Sequence, residues 1–480
     1  MSLISITAVN FCLEPDLTFS PWIFGFRFTC ASLHERFIRS VWIAWRSIIL
    51  SASLSRISSI VFNDMGSTLQ LGQECEVIVS NRLQITSGKI LLCAVTLEAA
   101  LFGSGRMLEI GPFTVKMLLF SLTLIYTAWS LLSFDRIRYS TALFTASFLT
   151  LLCFGVINGL CYAANMKFLG EDVSPLLSFL TLLFFEFTIR SKLEINLVIR
   201  IIVFAAIVMA VGYAVIIILL LLRIVPFVAL YGWINEVGSN EFVFEGVSGR
   251  VFYKGALFIP IAIIFLVFRK GRWSRAIASL LFLSLFVVGS RGLFLALALT
   301  AILYILIGPM RAVKKLDYGF IVILIASISL TLIFSLFGDK TGSNAPRIDT
   351  MSQVLNRINP VSIIVGHGFG IGVPAKPEHM EIMYAEIFHK QGLIGLLWWA
   401  SLIAIMAIRL RKAIKNGNRD LAYPLFLSAI FIVLESVTNP FLNNPIGMYP
   451  FIIFFVGLGV LARPDMQRSA IIPPLSANSV

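Results

Sequence analysis

Residues Leu197–Leu222 read LVIRIIVFAAIVMAVGYAVIIILLLL. Wound as a helix at 1.5 Å per residue, such a run is long enough to cross the ~30 Å hydrocarbon core of a bilayer. Tyr318–Phe337 is a second run of this kind. The whole chain agrees with them: 58% of its residues are hydrophobic, 13% are charged, and the mean hydropathy is +0.92. Soluble domains are about half apolar and about a quarter charged. The fold class expected is therefore an all-α polytopic membrane protein built as one helical bundle.

Outward from Leu197–Leu222, eleven further apolar segments complete a set of twelve expected spans. They are Ile90–Phe102, Phe113–Leu132, Thr141–Tyr162, Pro175–Ile189, Val251–Phe268, Ala276–Val288, Leu293–Ile307, Phe320–Phe337, Leu393–Ile408, Tyr423–Val437 and Phe451–Leu461. The net charge of +13 falls in short clusters between them, such as Arg190 with Lys192, Arg269–Arg275, Arg311–Lys315 and Arg409–Arg419. If the spans alternate in direction, every cluster lies on one side, as the positive-inside rule requires of cytoplasmic loops. Both termini are then cytoplasmic. No basic stripe interleaves with aromatics, so nucleic acid is not an expected partner. The six cysteines have no metal-ligand spacing and read as free thiols or packing residues.

The expected organisation is an N-terminal extension (1–88), a transmembrane domain (89–465) and a cytoplasmic tail (466–480). The extension is rich in Ser and Arg and carries no clean span. Arg36–Phe62 suits an amphipathic helix lying in the interface. The alternative is a natural start at Met65, with the upstream part not native.

The same alternation makes 338–391 the longest outer loop. Long loops in compact proteins are usually functional or disordered, and this one is rich in Gly, Pro and titratable groups. It contains Gly366-His367-Gly368-Phe369-Gly370, then Pro377-Glu378-His379-Met380-Glu381, then Glu386, then the break Gly392-Leu393-Ile394-Gly395. A carboxylate near a histidine suits general-base work, whereas the plain alternative is a solvated loop of turns. His367, His379 and His389 have no standard metal spacing, and no metal or cofactor is expected. Gly289-Ser290-Arg291-Gly292 places an arginine between two spans, to meet an anion as a bidentate fork or simply to snorkel. Ser248-Gly249-Arg250, with Lys254 after it, reads as an anion cradle at a helix start or as a span-end anchor. Glu435 is an ionisable residue in an apolar run, and Asn439-Pro440 reads as the stop of its helix.

The order of these motifs resembles the bacterial O-antigen ligase and repeat-unit polymerase superfamily, which includes exopolysaccharide polymerases. It consists of Arg250 at a mid-chain span, the Ser290-Arg291-Gly292 turn, Arg347 and the Gly-His-Gly-Phe-Gly run in a long loop, and the Gly-Leu-Ile-Gly helix start. The segment Gly103–Pro112 resembles the family's first hairpin. The likeness covers roughly 89–465. It implies an all-helical membrane glycosyltransferase of the bacterial inner membrane, inverting and metal-independent, with its active site on the periplasmic face. The donor and acceptor would be glycans on undecaprenyl pyrophosphate. A chain-length regulator and export machinery are candidate partners. Arg250 and Arg291 fall at the positions credited with holding pyrophosphate, Arg347 matches a further basic position at the loop start and is taken with them as pyrophosphate-binding, and Glu381 and His379 are the candidates for the base. Secondary candidates are Lys254, His367, Glu386 and Glu435. In ligases a histidine followed by Asn, Ser or Arg stands where this chain has Glu381-Ile382. That departure points to a polymerase of a surface polysaccharide. The rivals are an O-antigen ligase or related oligosaccharyltransferase and, from another class, a lipid-linked oligosaccharide transporter. The transporter reading is weakened because the charges gather at one face rather than in mid-span and no repeated halves are visible.

Overall fold

The chain divides into two units, Met1–Leu83 and Gln84–Val480, and only the second contains described residues. The structure, a computed structural model, describes residues 86–464 except 104–108, 111–112, 134–136, 227, 231, 233–241, 246–249 and 338–340. The readings made for Arg36–Phe62, Met65 and the tail lie outside the described residues, as does most of Gly103–Pro112.

Helices dominate. In chain order they are α1 (86–102), α2 (Val115–Leu132), α3 (Tyr139–Cys161), α4 (Met166–Leu176), α5 (Thr181–Thr188), α6 (Lys192–Leu221), α7 (Phe258–Phe268), α8 (Arg272–Val288), α9 (Arg291–Ile307), α10 (Ala312–Phe337), α11 (Thr341–Asn356), α12 (Pro360–Val365), α13 (Met383–Lys415), α14 (Arg419–Glu435) and α15 (Pro445–Leu461). Two small antiparallel hairpins interrupt them: β1 (Glu109–Ile110) with β2 (Phe113–Thr114), and β3 (Phe242–Glu245) with β4 (Arg250–Tyr253). Six segments are long and apolar enough to cross a membrane by themselves: Val115–Leu132, Tyr139–Cys161, Met166–Thr188, Lys192–Leu221, Ala312–Ile333 and Met383–Lys415. The other six expected spans coincide with shorter helices, so twelve remains an expectation.

α15 is the centre of the bundle. It is apolar all round and buried at every residue, as a helix with no solvent or lipid face should be. Around it, α13 runs parallel while α3 and α14 run the other way. Ser147 Oγ accepts from Trp398 Nε1 at 3.0 Å in mid-bundle, and Ser140 Oγ accepts from Arg409 Nη2 at 3.1 Å at one end. At the other end the residues near Gly159 and Gly392 meet. α10 is the opposite case, with only 11% of its spanning window buried, as suits a helix bathed in lipid.

Three expectations are corrected. Arg250 does not open a helix: Arg250–Tyr253 pairs with Phe242–Glu245 as a strand, and a 3-10 turn, Lys254–Leu257, separates it from α7. The chain at 338–391 is not one long loop, because α11, α12 and the start of α13 lie within it. Helix α4 begins at Met166, inside the stretch read as the loop before Pro175. That proline only shifts the helix into a short 3-10 turn before α5.

Candidate active site

The site is built on a break in α13. Gly392 sits at φ 64°, ψ −160°, a conformation open to glycine and not to side chains, and it divides Met383–Gln391 from the helix that follows. A break frees carbonyl groups of the preceding turn, and these need donors. The Gly-His-Gly-Phe-Gly run supplies them. His367 N–H donates to His389 O at 2.8 Å and Gly368 N–H to Lys390 O at 2.9 Å. The run is stitched equally to α3: Asn158 Nδ2 donates to Gly366 O at 3.0 Å and Phe369 N–H to Gly155 O at 3.0 Å. A side chain on Gly368 would strike the backbone of Gly159. The motif is thus a backbone clamp. His367 stacks on buried His389, with ring centroids 4.5 Å apart, while His379 lies in a different cluster.

The clamp ends on Gly370, whose N–H donates to Asp172 Oδ2 at 2.8 Å. Asp172 Oδ1 lies 2.7 Å from Lys390 Nζ, which is also 2.5 Å from Glu386 Oε1 and 3.1 Å from Glu378 O. Asp172, Glu386 and Lys390 are all buried. An ammonium so placed must be paired, and here two carboxylates and a carbonyl do it. His379 Nδ1 faces both acids, 3.3 Å from Glu386 and 3.4 Å from Asp172. Its side chain is half exposed, and Nε2 has no hydrogen bond among the described residues. The hydrogen bond to Glu386 holds His379 above the ordinary histidine range, burial opposing it. The pattern is that of an oriented base, with one ring nitrogen fixed by carboxylate and the other presented outward.

Donor atoms of Asp172, His379 and Glu386 lie within 4.8 Å of one another and could gather a cation. Lys390 already stands at the cation position between the two carboxylates. We therefore assign no metal ligands here.

Beside this cluster is a cavity of about 260 Å³ lined by Asp172, His379, Glu386, Lys390, Lys254 and the loop Pro440–Asn444, among others. Lys254 is brought to it by Tyr253, whose hydroxyl donates to Leu101 O at 2.6 Å. The remaining expected residues sit nearby in two further groups. Arg347 Nε donates to Glu381 Oε2 at 2.8 Å, and Lys376 lies 3.4 Å from the other oxygen. Glu381 is thus bound by two cations rather than turned to the cavity. Arg291 is the first residue of α9, after Gly289 in the left-handed conformation closes α8. Glu435 is buried against that turn, and a side chain on Gly292 would come within 2.8 Å of its carboxylate. Asn439 Nδ2 donates to Glu435 Oε1 at 2.7 Å, so Asn439-Pro440 both stops α14 and holds its last acid. Arg347 also acts on Glu435 electrostatically. Arg250 belongs to β4, and its side chain lies outside the described residues.

The residues that sequence reading missed are Asp172 and Lys390. Asp172 sat in a presumed loop without a motif, and Lys390 sat unremarked between Glu386 and the Gly392 break. The available signal was Lys390 itself, four residues after Glu386 and just before an apolar run, since a lysine there must be buried or snorkel.

No protein-family model matches this chain. It is similar to the O-antigen polymerase of Shigella flexneri, with 27% identity over 390 residues, covering 79% of this chain and 97% of that protein. The similarity runs along nearly the whole relative, and it agrees with the superfamily resemblance carried by the motifs.

Proposed function

We propose that this protein polymerises lipid-linked oligosaccharide repeat units into a surface polysaccharide of the O-antigen type. The observation that carries the reading is similarity over 97% of the length of an O-antigen polymerase. The site supports it chemically. A sugar hydroxyl of the acceptor attacks the anomeric carbon of the donor, and the bond from that carbon to the pyrophosphate oxygen breaks. The lipid pyrophosphate leaves with the electron pair, and the hydroxyl proton passes to a base. His379 is the base we assign, oriented by Glu386 through Nδ1. Glu381, held by Arg347 and Lys376, is the weaker candidate. Charge growing on the leaving pyrophosphate is met by Arg291 and Arg347, neither of which lines the cavity of the paired acids, with Arg250 as a further candidate.

The cell biology proposed follows from the charge pattern. The donor rides on undecaprenyl pyrophosphate in the inner membrane, the cavity opens toward the periplasm, and both termini are cytoplasmic. A cysteine at Ser343 in a Cys-free background should react with an impermeant thiol reagent in intact cells, and one at Asn416 should not. The reverse pattern overturns the orientation.

The reaction is tested with a deletion strain whose lipid-linked intermediates are resolved by size. Accumulated single repeat units support polymerisation, and the Arg291→Lys strain should reproduce that profile because an ammonium cannot replace the bidentate fork. Full-length chains held on the carrier would instead make the protein a ligase.

A further inference from the structure

The cavity beside Lys390 has a composition unlike a pyrophosphate site. Its ionic wall holds two carboxylates, Asp172 and Glu386, against two lysines, Lys254 and Lys390, with His379 at the side. A pyrophosphate entering there would face both acids, whose nearest cation is already committed to them at 2.7 and 2.5 Å. Uncharged hydroxyl groups would not be repelled. The other polar walls point the same way. Gln391 and Asn443 line the cavity with amide side chains, a residue type that exchanges hydrogen bonds with hydroxyls. Between the polar groups lie the apolar faces of Phe369, Leu176 and Pro440. A sugar ring offers that mixture, with hydroxyls around an apolar C–H face. The volume, about 260 Å³, lies just below the usual range of ligand pockets, about 300 to 1,000 Å³. It suits one ring rather than a whole repeat unit.

We propose that this cavity is the acceptor subsite and holds the terminal, uncharged sugar ring of the acceptor glycan, with its reacting hydroxyl at His379. This rests on the polymerase reading and divides the site: acceptor sugar in the cavity, donor pyrophosphate on the Arg291–Arg347 side. Asn443 and Lys254 become specificity residues that read hydroxyls.

The test uses the purified full-length protein in nanodiscs. The probe is lipid-free repeat-unit oligosaccharide, released by mild acid from the deletion strain's own lipid-linked pool. Saturation-transfer NMR should show its terminal ring in contact with protein. Asn443→Ala and Lys254→Met should each weaken binding at least fivefold. Excess inorganic pyrophosphate should leave binding unchanged. Each variant is accepted only if it elutes as one species and melts with the wild type; Asn443→Leu, which fills the space, replaces any that does not. Binding that none of these variants alters overturns the subsite, as does displacement by inorganic pyrophosphate. Neither result touches the polymerase reading, which stands or falls with single repeats in the deletion strain.

Discussion

Two polar clusters lie at opposite ends of the same helices, and they solve the problem of buried charge differently. At the cavity end, one lysine is shared by two carboxylates, with a half-exposed histidine beside them. At the far end, one carboxylate is shared by arginines. Glu186 pairs with Arg138 through both oxygens and with Arg463 at 3.3 Å, while Thr141 Oγ1 donates to it at 3.2 Å. Arg409 lies next to them, donating to Phe455 O at 2.8 Å and stacking 4.0 Å over the Phe455 ring. Gly459 has no side chain because the guanidinium groups of Arg138 and Arg409 converge on it. The arginines tie α3, α5, α13 and α15 together at an end already expected to be basic. The lysine instead sits beside an open cavity and orients groups that can accept protons. Charge that staples helices and charge that lines a cavity are thus separated by the length of the bundle.

Breaking the two clusters separately gives the largest expected effect. Lys390→Met leaves Asp172 and Glu386 buried without their cation. Removing one partner of a buried pair costs about 3–5 kcal/mol. Thermal unfolding in detergent should show a large loss of stability, and polymer formation should vanish even at matched protein level. Glu186→Gln keeps the shape and one oxygen for Arg138, and Arg463 is partly exposed and can turn to water. The cost there should be smaller, about 1–3 kcal/mol, with activity per folded molecule retained. Equal loss of specific activity in both variants would erase the distinction between a stapling end and a reacting end.

The fold was legible where hydropathy speaks. Leu197–Leu222 and Tyr318–Phe337 fall on α6 and α10, and most of the other expected spans fall on helices, the main exceptions being Val251–Phe268, whose first part is β4 and a 3-10 turn, and Pro175–Ile189, which a 3-10 turn divides. What hydropathy cannot show is polar helix. α11 and the start of α4 are helical without being apolar, so both read as loop. The site was half legible for a similar reason. Short motifs marked His379, Glu386, Arg291 and Glu435 because glycines or apolar runs framed them. Asp172 is more than two hundred residues from Lys390 in the chain, and no local spacing joins them. The Gly-His-Gly-Phe-Gly run drew attention as chemistry, yet its glycines are set by close approach to α3 and to the broken turn of α13.

The finest test of the comparison is the pH profile of the cavity end. The groups around the His379 ring are Asp172 from α4 and Glu386 and Lys390 from α13. The hydrogen bond to Glu386 dominates and, with the charge of both acids, raises the histidine above the ordinary value of about 6.5, while burial and the Lys390 charge pull the other way. A raised value means that the protonated ring stabilises the fold. That contribution is complete below the unfolded value, near pH 6.5, and is lost as pH rises through the higher folded value. Catalysis runs in the opposite sense, since the base must be neutral to take the hydroxyl proton. The acid limb of the polymerisation rate should therefore lie above pH 6.5. Glu386→Gln should move that limb to lower pH while slowing the plateau, because the ring loses both its charge partner and its orientation. Glu381→Gln should leave the limb where it is, since that acid is bound to Arg347 and Lys376 and not to the ring. The measurement is initial rate against pH, with purified lipid-linked repeat units as substrate. A limb that follows Glu381 and ignores Glu386 would return the base to the position that the sequence first suggested.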